Sequence, residues 1–175
     1  MEIEKIRNDA EKSITELEMP ESIRTPGRTW TRYPDDLIEK SGESENIEAA
    51  IETSGDTEVF EGQEAVEEAD SKLFDLIKTE ENRLNAIHAA GLDSLIYVRA
   101  SGNSEIHVEY ETEAPVSSHL LVEATEGSDL TITEETSSSD FNTSFTEIYV
   151  RENASVQYGA VEKPEGFSYS RRKAI

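Results

Sequence analysis

The chain has 175 residues, with 16 Lys and Arg against 39 Asp and Glu, a net charge of −23 at pH 7 and no cysteine. That charge argues against a direct nucleic-acid partner, because a polyanion is repelled before any groove contact forms, and against an anionic membrane surface. Without cysteine the chain offers no disulfide, thiolate metal ligand, cysteine nucleophile or cysteine-ligated cluster. A chain of this length buries roughly 70% of its unfolded surface, enough for one cored domain or a small domain with an appendage. No apolar run approaches the roughly 18 residues of a membrane span. Met1-Glu2-Ile3-Glu4-Lys5 lacks the basic flank and apolar stretch of a signal peptide, so a cytoplasmic protein is expected.

The acids are not gathered into a tail: residues 1–90 carry a net charge of −14 and residues 91–175 a net charge of −9. Spread among patterned apolar positions, they predict a folded, halophilic-type acidic surface whose repulsion salt screens, rather than a disordered chain. Residues 41–71 hold 11 acids, no base, and Gly42, Gly55 and Gly62, and predict a mobile acidic connection.

Ile3, Ile6, Ala10, Ile14 and Leu17 recur at helical spacing and predict an amphipathic helix over residues 2–18, stopped by Pro20. Ile23 to Tyr33 reads as an arm whose Trp30 and Tyr33 anchor it on the core, with Asp35 or Asp36 capping a short helix from Leu37. A second helical pattern runs from about Gln63 to Ala90 and ends in Gly91, a suitable C-terminal cap. Beyond Gly91 the period changes from 3.6 to 2. Strands are expected at Leu95–Val98, around Ile106, Val108 and Tyr110, and at Leu120–Ala124, Leu130–Thr133, Phe145–Val150 and Val156–Ala160.

These strands repeat. Asn103-Ser104-Glu105-Ile106, Gly127-Ser128-Asp129-Leu130 and Asn153-Ala154-Ser155-Val156 align at offsets of 24 and 26 residues. The strands before them align as Ile96-Tyr97-Val98, Leu120-Leu121-Val122 and Ile148-Tyr149-Val150. Each unit reads as a strand, a tight turn with Gly or Asn at positive φ, a strand and a return. A period in the twenties predicts a stacked-rung solenoid, a right-handed-type β-helix over residues 91–175, preceded by a helical cap and arm over residues 1–90. A sandwich of ordinary hairpins is the alternative.

The order of pieces resembles the SufB/SufD family, scaffold subunits of Suf iron–sulfur cluster assembly. The likeness is carried by Arg28-Thr29-Trp30-Thr31-Arg32-Tyr33, by Leu84 to Gly91 leading into Leu95-Ile96-Tyr97-Val98, by Leu120 to Glu135, by Thr146 to Tyr158, and by Ser170-Arg171-Arg172. It covers roughly residues 84–175, and the first 83 only loosely. Members continue through many more rungs and a helical segment that docks on the ATPase SufC, whereas Ile175 closes this sequence within an alternating pattern. The cysteines proposed for SufB-like subunits are missing, so SufD is the nearer likeness. The resemblance implies a non-catalytic scaffold that pairs with SufB-like and SufC-like proteins, or self-associates, and meets an iron–sulfur cluster only through the assembled complex. A free-standing β-helical binding module or truncated relic is the alternative.

No residue pattern points to catalysis or to a cofactor held by this chain alone. His88, His107 and His119 sit in no HExxH motif and at no metal spacing, and read as capping or solvated residues. Glu134-Glu135 and Asp35-Asp36 are adjacent acids expected by chance in so acidic a chain. Ser137-Ser138-Ser139 lacks a nucleophile elbow. The candidate contact surface is instead the uncapped end of the stack. Val156, Tyr158, Phe167 and Tyr169 would be partly exposed there and coverable by strand addition. Beside them, Arg171-Arg172-Lys173 is either a docking spot for an acidic partner or a solubilising guard on the edge.

Overall fold

A computed structural model describes residues 2–20, 33, 36–38, 47–138 and 141–175. The first helical pattern becomes α1 (Ile3–Ile14), which buries Ile6, Ala10 and Ile14 along one face. The acidic stretch expected as a mobile connection contains instead a strand, β1 (Ala50–Glu61), and the whole of α2 (Gly62–Ala69). The single helix expected from Gln63 to Ala90 is interrupted after α2 by two short 3-10 turns and resumes as α3 (Arg83–Ala90). Asn82 caps α3 by accepting a hydrogen bond from the Asn85 amide at 3.0 Å. Trp30 of the expected arm and the expected cap at Asp35 lie outside the described residues. Tyr33 does anchor, its hydroxyl donating to the Pro20 carbonyl at 3.1 Å and its ring meeting Phe167 edge-on.

The remaining strands are β2 (Ser94–Thr112), β3 (Val116–Ala124), β4 (Asp129–Ser138), β5 (Phe141–Val150), β6 (Ser155–Pro164) and β7 (Phe167–Ala174). They form one seven-stranded sheet in the order β6-β4-β2-β3-β5-β7, all parallel, with β1 antiparallel along β2. The expected β-helix solenoid is therefore corrected to a mostly parallel sheet curled into a half-barrel. The physical cause is β2. It runs without a break through Gly102, pairing with β3 along its first half and β4 along its second, so the two walls are one continuous sheet. The returns are also too short to build a further wall: only Glu113–Pro115 separate β2 from β3, and only Glu165 and Gly166 separate β6 from β7.

The repeat seen in the sequence survives in part: the turn residues Gly127 and Asn153 are as aligned, and in the first unit the turn conformation falls on Gly102 rather than Asn103. Gly102, Gly127 and Asn153 all take positive φ, at 61°, 71° and 58°. Ile96 pairs with Leu120 as aligned, but Ile148 pairs with Val122 rather than Leu120, and Asn103 pairs with Asp129 rather than Gly127. Both errors are slips of two residues. Such a slip keeps every side chain on its face, so alternation alone does not detect it.

β3 and β5 are buried along both faces. Their concave face joins Ile96, Val98, Ile106, Val108, Ile132 and neighbours in the core inside the half-barrel. Their convex face is covered by α1, α2, α3 and the segment between the last two, with Leu95, Tyr97, Leu121 and Tyr149 meeting Ile6, Ala65, Val66 and Ala69. β1 closes the far edge of β2 across a bulge between Ser54 and Asp56. Gly55 at that bulge has φ +85°, and a Cβ there would stand 2.3 Å from the Asn103 carbonyl oxygen. Gly55→Ala is expected to cost more than about 2 kcal/mol, from left-handed strain plus a backbone clash. A urea midpoint equal to wild type would show that β1 does not hold this geometry.

Candidate functional site

The expected contact residues lie on β6 and β7, the two ends of the sheet path. Val156 and Tyr158 are half-buried against the concave core, opposite Leu130 and Ile132 on β4. The Tyr158 hydroxyl donates to Glu134 Oε2 at 2.6 Å and accepts from Arg172 Nε at 2.7 Å. Burial, followed by the Glu134 charge, pushes its pKa up to about 12. Phe167 stacks on Phe141 with ring centroids 5.8 Å apart. Tyr169 donates to Asn85 Oδ1 at 3.0 Å. Arg171 pairs with Glu81 beneath the helices, while Arg172 pairs with Glu162 on the concave side.

The aromatic rings and both arginines are thus engaged within the chain. What the region offers a partner is backbone. Among the described residues no strand pairs with the outer side of β6 or of β7. Val161 on β6 is 44% exposed beside that edge.

A second arrangement was not foreseen. Convex-face residues of β3 and β5 meet α3 and the Leu73–Ile77 segment in a buried polar cluster. Glu147, fully buried, accepts from the Leu76 and Ile77 amides through Oε1 at 2.6 and 2.8 Å. Its Oε2 accepts from the Phe74 amide and from His119 Nε2, both at 2.9 Å. Burial by itself raises the Glu147 carboxyl, but the His119 and amide bonds outweigh it and hold the pKa below the usual range. Phe74 takes φ +58° to make its contact and sets its ring edge against His119.

His88, from α3, lies beside this group. Its ring stacks on Phe145 with centroids 3.7 Å apart, and its Nδ1 is 2.9 Å from Thr143 Oγ1. Thr143 in turn donates to Ser117 Oγ at 2.8 Å. Burial, then the neighbouring His119, lowers the His88 pKa well below its ordinary value. His88 and His119 are both fully buried, which corrects the capping or solvated reading for these two. His107 remains half-buried on the polar face of β2, in a shallow groove with Glu52, Ser54, Glu105 and Thr131. The sequence signal for the pair was weak but present. Val116 to Val122 runs through His119 with no Asp, Glu, Lys or Arg, as a strand buried on two sides favours.

Inside the half-barrel, Glu134 is 2% exposed and accepts from Ser144, Thr146 and Tyr158 at 2.6 to 2.9 Å. It is thus a satisfied structural acid. Its neighbour Glu135 pairs with Lys163 at the surface, so the two adjacent acids serve different faces. Among the described residues no group of three or more His, Asp or Glu is placed to hold a metal ion. No described helix is long and apolar enough to cross a membrane. No protein-family model matches the chain, and no curated protein matches it either.

Proposed function

We propose that the chain is a non-catalytic scaffold subunit that acts through protein–protein contact along the outer edge of β6. The observation that carries this reading is the parallel edge itself, unpaired among the described residues and flanked by half-buried Val156 and Tyr158 and by exposed Val161. An open edge presents alternating amide donors and carbonyl acceptors, and a partner strand satisfies both while covering the apolar side chains beside it. The sequence resemblance supplies the partners: SufB-like and SufC-like proteins of a cytoplasmic iron–sulfur assembly system, the cluster being met in the complex.

A free-standing binding module is the second reading, favoured by the ion pairs that occupy Arg171 and Arg172 within the chain. Sedimentation of the full chain in molar salt, alone and mixed with SufB-like and SufC-like proteins of the same source, separates the two. Co-sedimentation with the SufB-like protein is expected, weakened at least about tenfold by Val161→Lys, which places an unpaired charge beside the edge. A monodisperse monomer that ignores both proteins would sink the scaffold reading.

A further inference from the structure

Between α2 and α3 the chain crosses the covered face of the sheet as an irregular strap, residues 73–77, in neither helix nor strand. Among the described residues its hydrogen bonds to the sheet all run through sheet side chains. Glu147 accepts from the Phe74, Leu76 and Ile77 amides, the Tyr149 hydroxyl donates to Asp75 Oδ2 at 3.2 Å, and Lys173 donates to the Leu76 carbonyl at 2.7 Å. Phe74 carries a φ of +58°, and Asp70, just ahead of the strap, one of +50°. Such backbone states persist only where the surroundings over-determine them. The strap is strained and held by few anchors.

Beneath it His88 is fully buried. Three rings pack on His88. Those of Phe145 and His119 stand on β5 and β3, with centroids 3.7 and 5.6 Å away, and that of Phe74 stands on the strap, 6.2 Å away. Thr143 spends its single hydroxyl hydrogen on Ser117, so His88 Nδ1 donates to the Thr143 oxygen. The other nitrogen, Nε2, has no hydrogen-bond partner among the described residues. A neutral ring leaves only a lone pair there. An imidazolium would bury both a charge and an N–H without an acceptor, so the covered site fits the neutral ring alone.

We propose that residues 73–77 form an acid-released strap, lifting from the sheet when His88 takes a second proton while the strands beneath stay paired. Of the parts packed on His88, only the strap can move away without breaking α3 or a ladder of the sheet. The titratable and charged groups around it are His119 on β3, Glu147 and Tyr149 on β5, Tyr169 and Lys173 on β7, and Lys72 and Asp75 of the connecting segment. Both oxygens of Glu147 are occupied by the strap amides and His119, and a charge on His119 opposes one on His88.

Burial, then His119, holds the covered His88 well below its ordinary pKa of 6.5. Uncovered, the ring regains that value and binds a proton that the covered state refuses. The open fraction therefore rises about tenfold per pH unit as pH falls below 6.5. Glu147, whose partners lower it from an ordinary 4.5, adds to the same trend only below that pH. The strap lies on the helix-covered face, so this device is independent of the β6 edge contact.

The test is amide hydrogen exchange, followed by NMR, on the full chain in molar salt, which screens repulsion among its surface acids. Protection of the Phe74, Leu76 and Ile77 amides, corrected for intrinsic exchange, should fall about tenfold per pH unit between 6.5 and 4.5. The Leu121 and Val122 amides of β3 should keep theirs. Ring ¹⁵N spectra should show His88 of the folded chain still neutral at about pH 5.5, with its proton on Nδ1. His88→Phe, checked for fold by circular dichroism, keeps a ring against Phe145 and should make strap protection independent of pH across that window. The exchange profile and ring spectra of the unaltered chain need no variant, so a substitution that unfolds it leaves the test intact. Parallel loss at Leu121 and Val122 would overturn the proposal, since the whole chain would then be unfolding. A charged His88 in the folded chain, or strap protection that ignores pH, would overturn it equally. A slope that persists in His88→Phe would do so too and move the titration to His119.

Discussion

Glu147→Ala is expected to destabilise the fold by about 3–5 kcal/mol, the cost of leaving buried charged and polar groups without their partner. One carboxylate with no solvent exposure accepts from three backbone amides and an imidazole, contributed by β3 and by the segment between α2 and α3. Deleting it orphans four donors at once, of which the Ile77 amide and the His119 ring belong to fully buried residues. It also removes the reason for the left-handed Phe74 backbone, which persists only where its surroundings over-determine it. Glu147→Gln keeps an acceptor oxygen but turns the other position into a donor facing donors, so it should recover only part of the loss. Urea unfolding followed by circular dichroism reads both variants. A loss below about 1 kcal/mol for the alanine variant would mean that the Leu73–Ile77 segment is held by apolar packing alone.

The second large effect is acid sensitivity at Glu123. Burial alone pushes this carboxyl up, but hydrogen bonds from Tyr97, Arg151 and Lys72 outweigh it and bring the pKa down to about 2. Tyr97 donates at 2.7 Å, Arg151 Nε at 2.7 Å, and Lys72 Nζ stands 3.2 Å away. The folded-state pKa lies below the unfolded one. The unfolded chain therefore binds more protons as pH falls, and the stabilisation is fully present above about 4.5 and is lost as pH drops towards 2. Its ceiling is on the order of 3 kcal/mol, since each tenfold change in proton affinity is worth about 1.36 kcal/mol. Solvent screening of the half-exposed Arg151 brings the contribution below that ceiling.

Protonating many surface acids also relieves repulsion in a chain of charge −23, an opposing trend. The readout is accordingly the difference between wild type and Glu123→Gln in molar salt. That difference should be largest at neutral pH and shrink through the window from 4.5 to 2. A difference independent of pH would show that the ion pair is not the source of the stability.

Much of the β half was legible because its signals are local. Gly127 and Asn153 mark their corners through a backbone conformation that glycine and asparagine tolerate, while in the first unit that conformation falls on Gly102, one place before the aligned Asn103. The apolar residues at alternate positions of β2 and β4 identify the concave face. β1 was not legible. Its Glu52, Asp56 and Glu58 face solvent and only Ile51, Val59 and Phe60 pack inward, so composition resembled a linker. Its conformation is decided by pairing with residues of β2 between 35 and 59 positions away. The partner-surface residues Val156, Tyr158, Phe167 and Tyr169 lie on β6 and β7, at the ends of the sheet path. That Arg171 and Arg172 would turn back onto Glu81 and Glu162 was not readable, because each pair joins separate elements.

The sequence by itself determined the amphipathic first helix, the change from helical to alternating period after Gly91, the corners at Gly127 and Asn153 and the side of each strand that faces inward. These follow from steric limits on single residues and from periodicities of 3.6 and 2, which act within a few positions. Only the tertiary structure decided that two strand stacks join through an unbroken β2 into one curled sheet, and which register each parallel pair adopts. It alone brought His88, His119 and Glu147 from three elements into one buried cluster. Those outcomes depend on which of several equally patterned neighbours a strand meets. The choice is settled by packing volume and by satisfying buried polar groups across the whole core, and an alternating pattern carries no record of either.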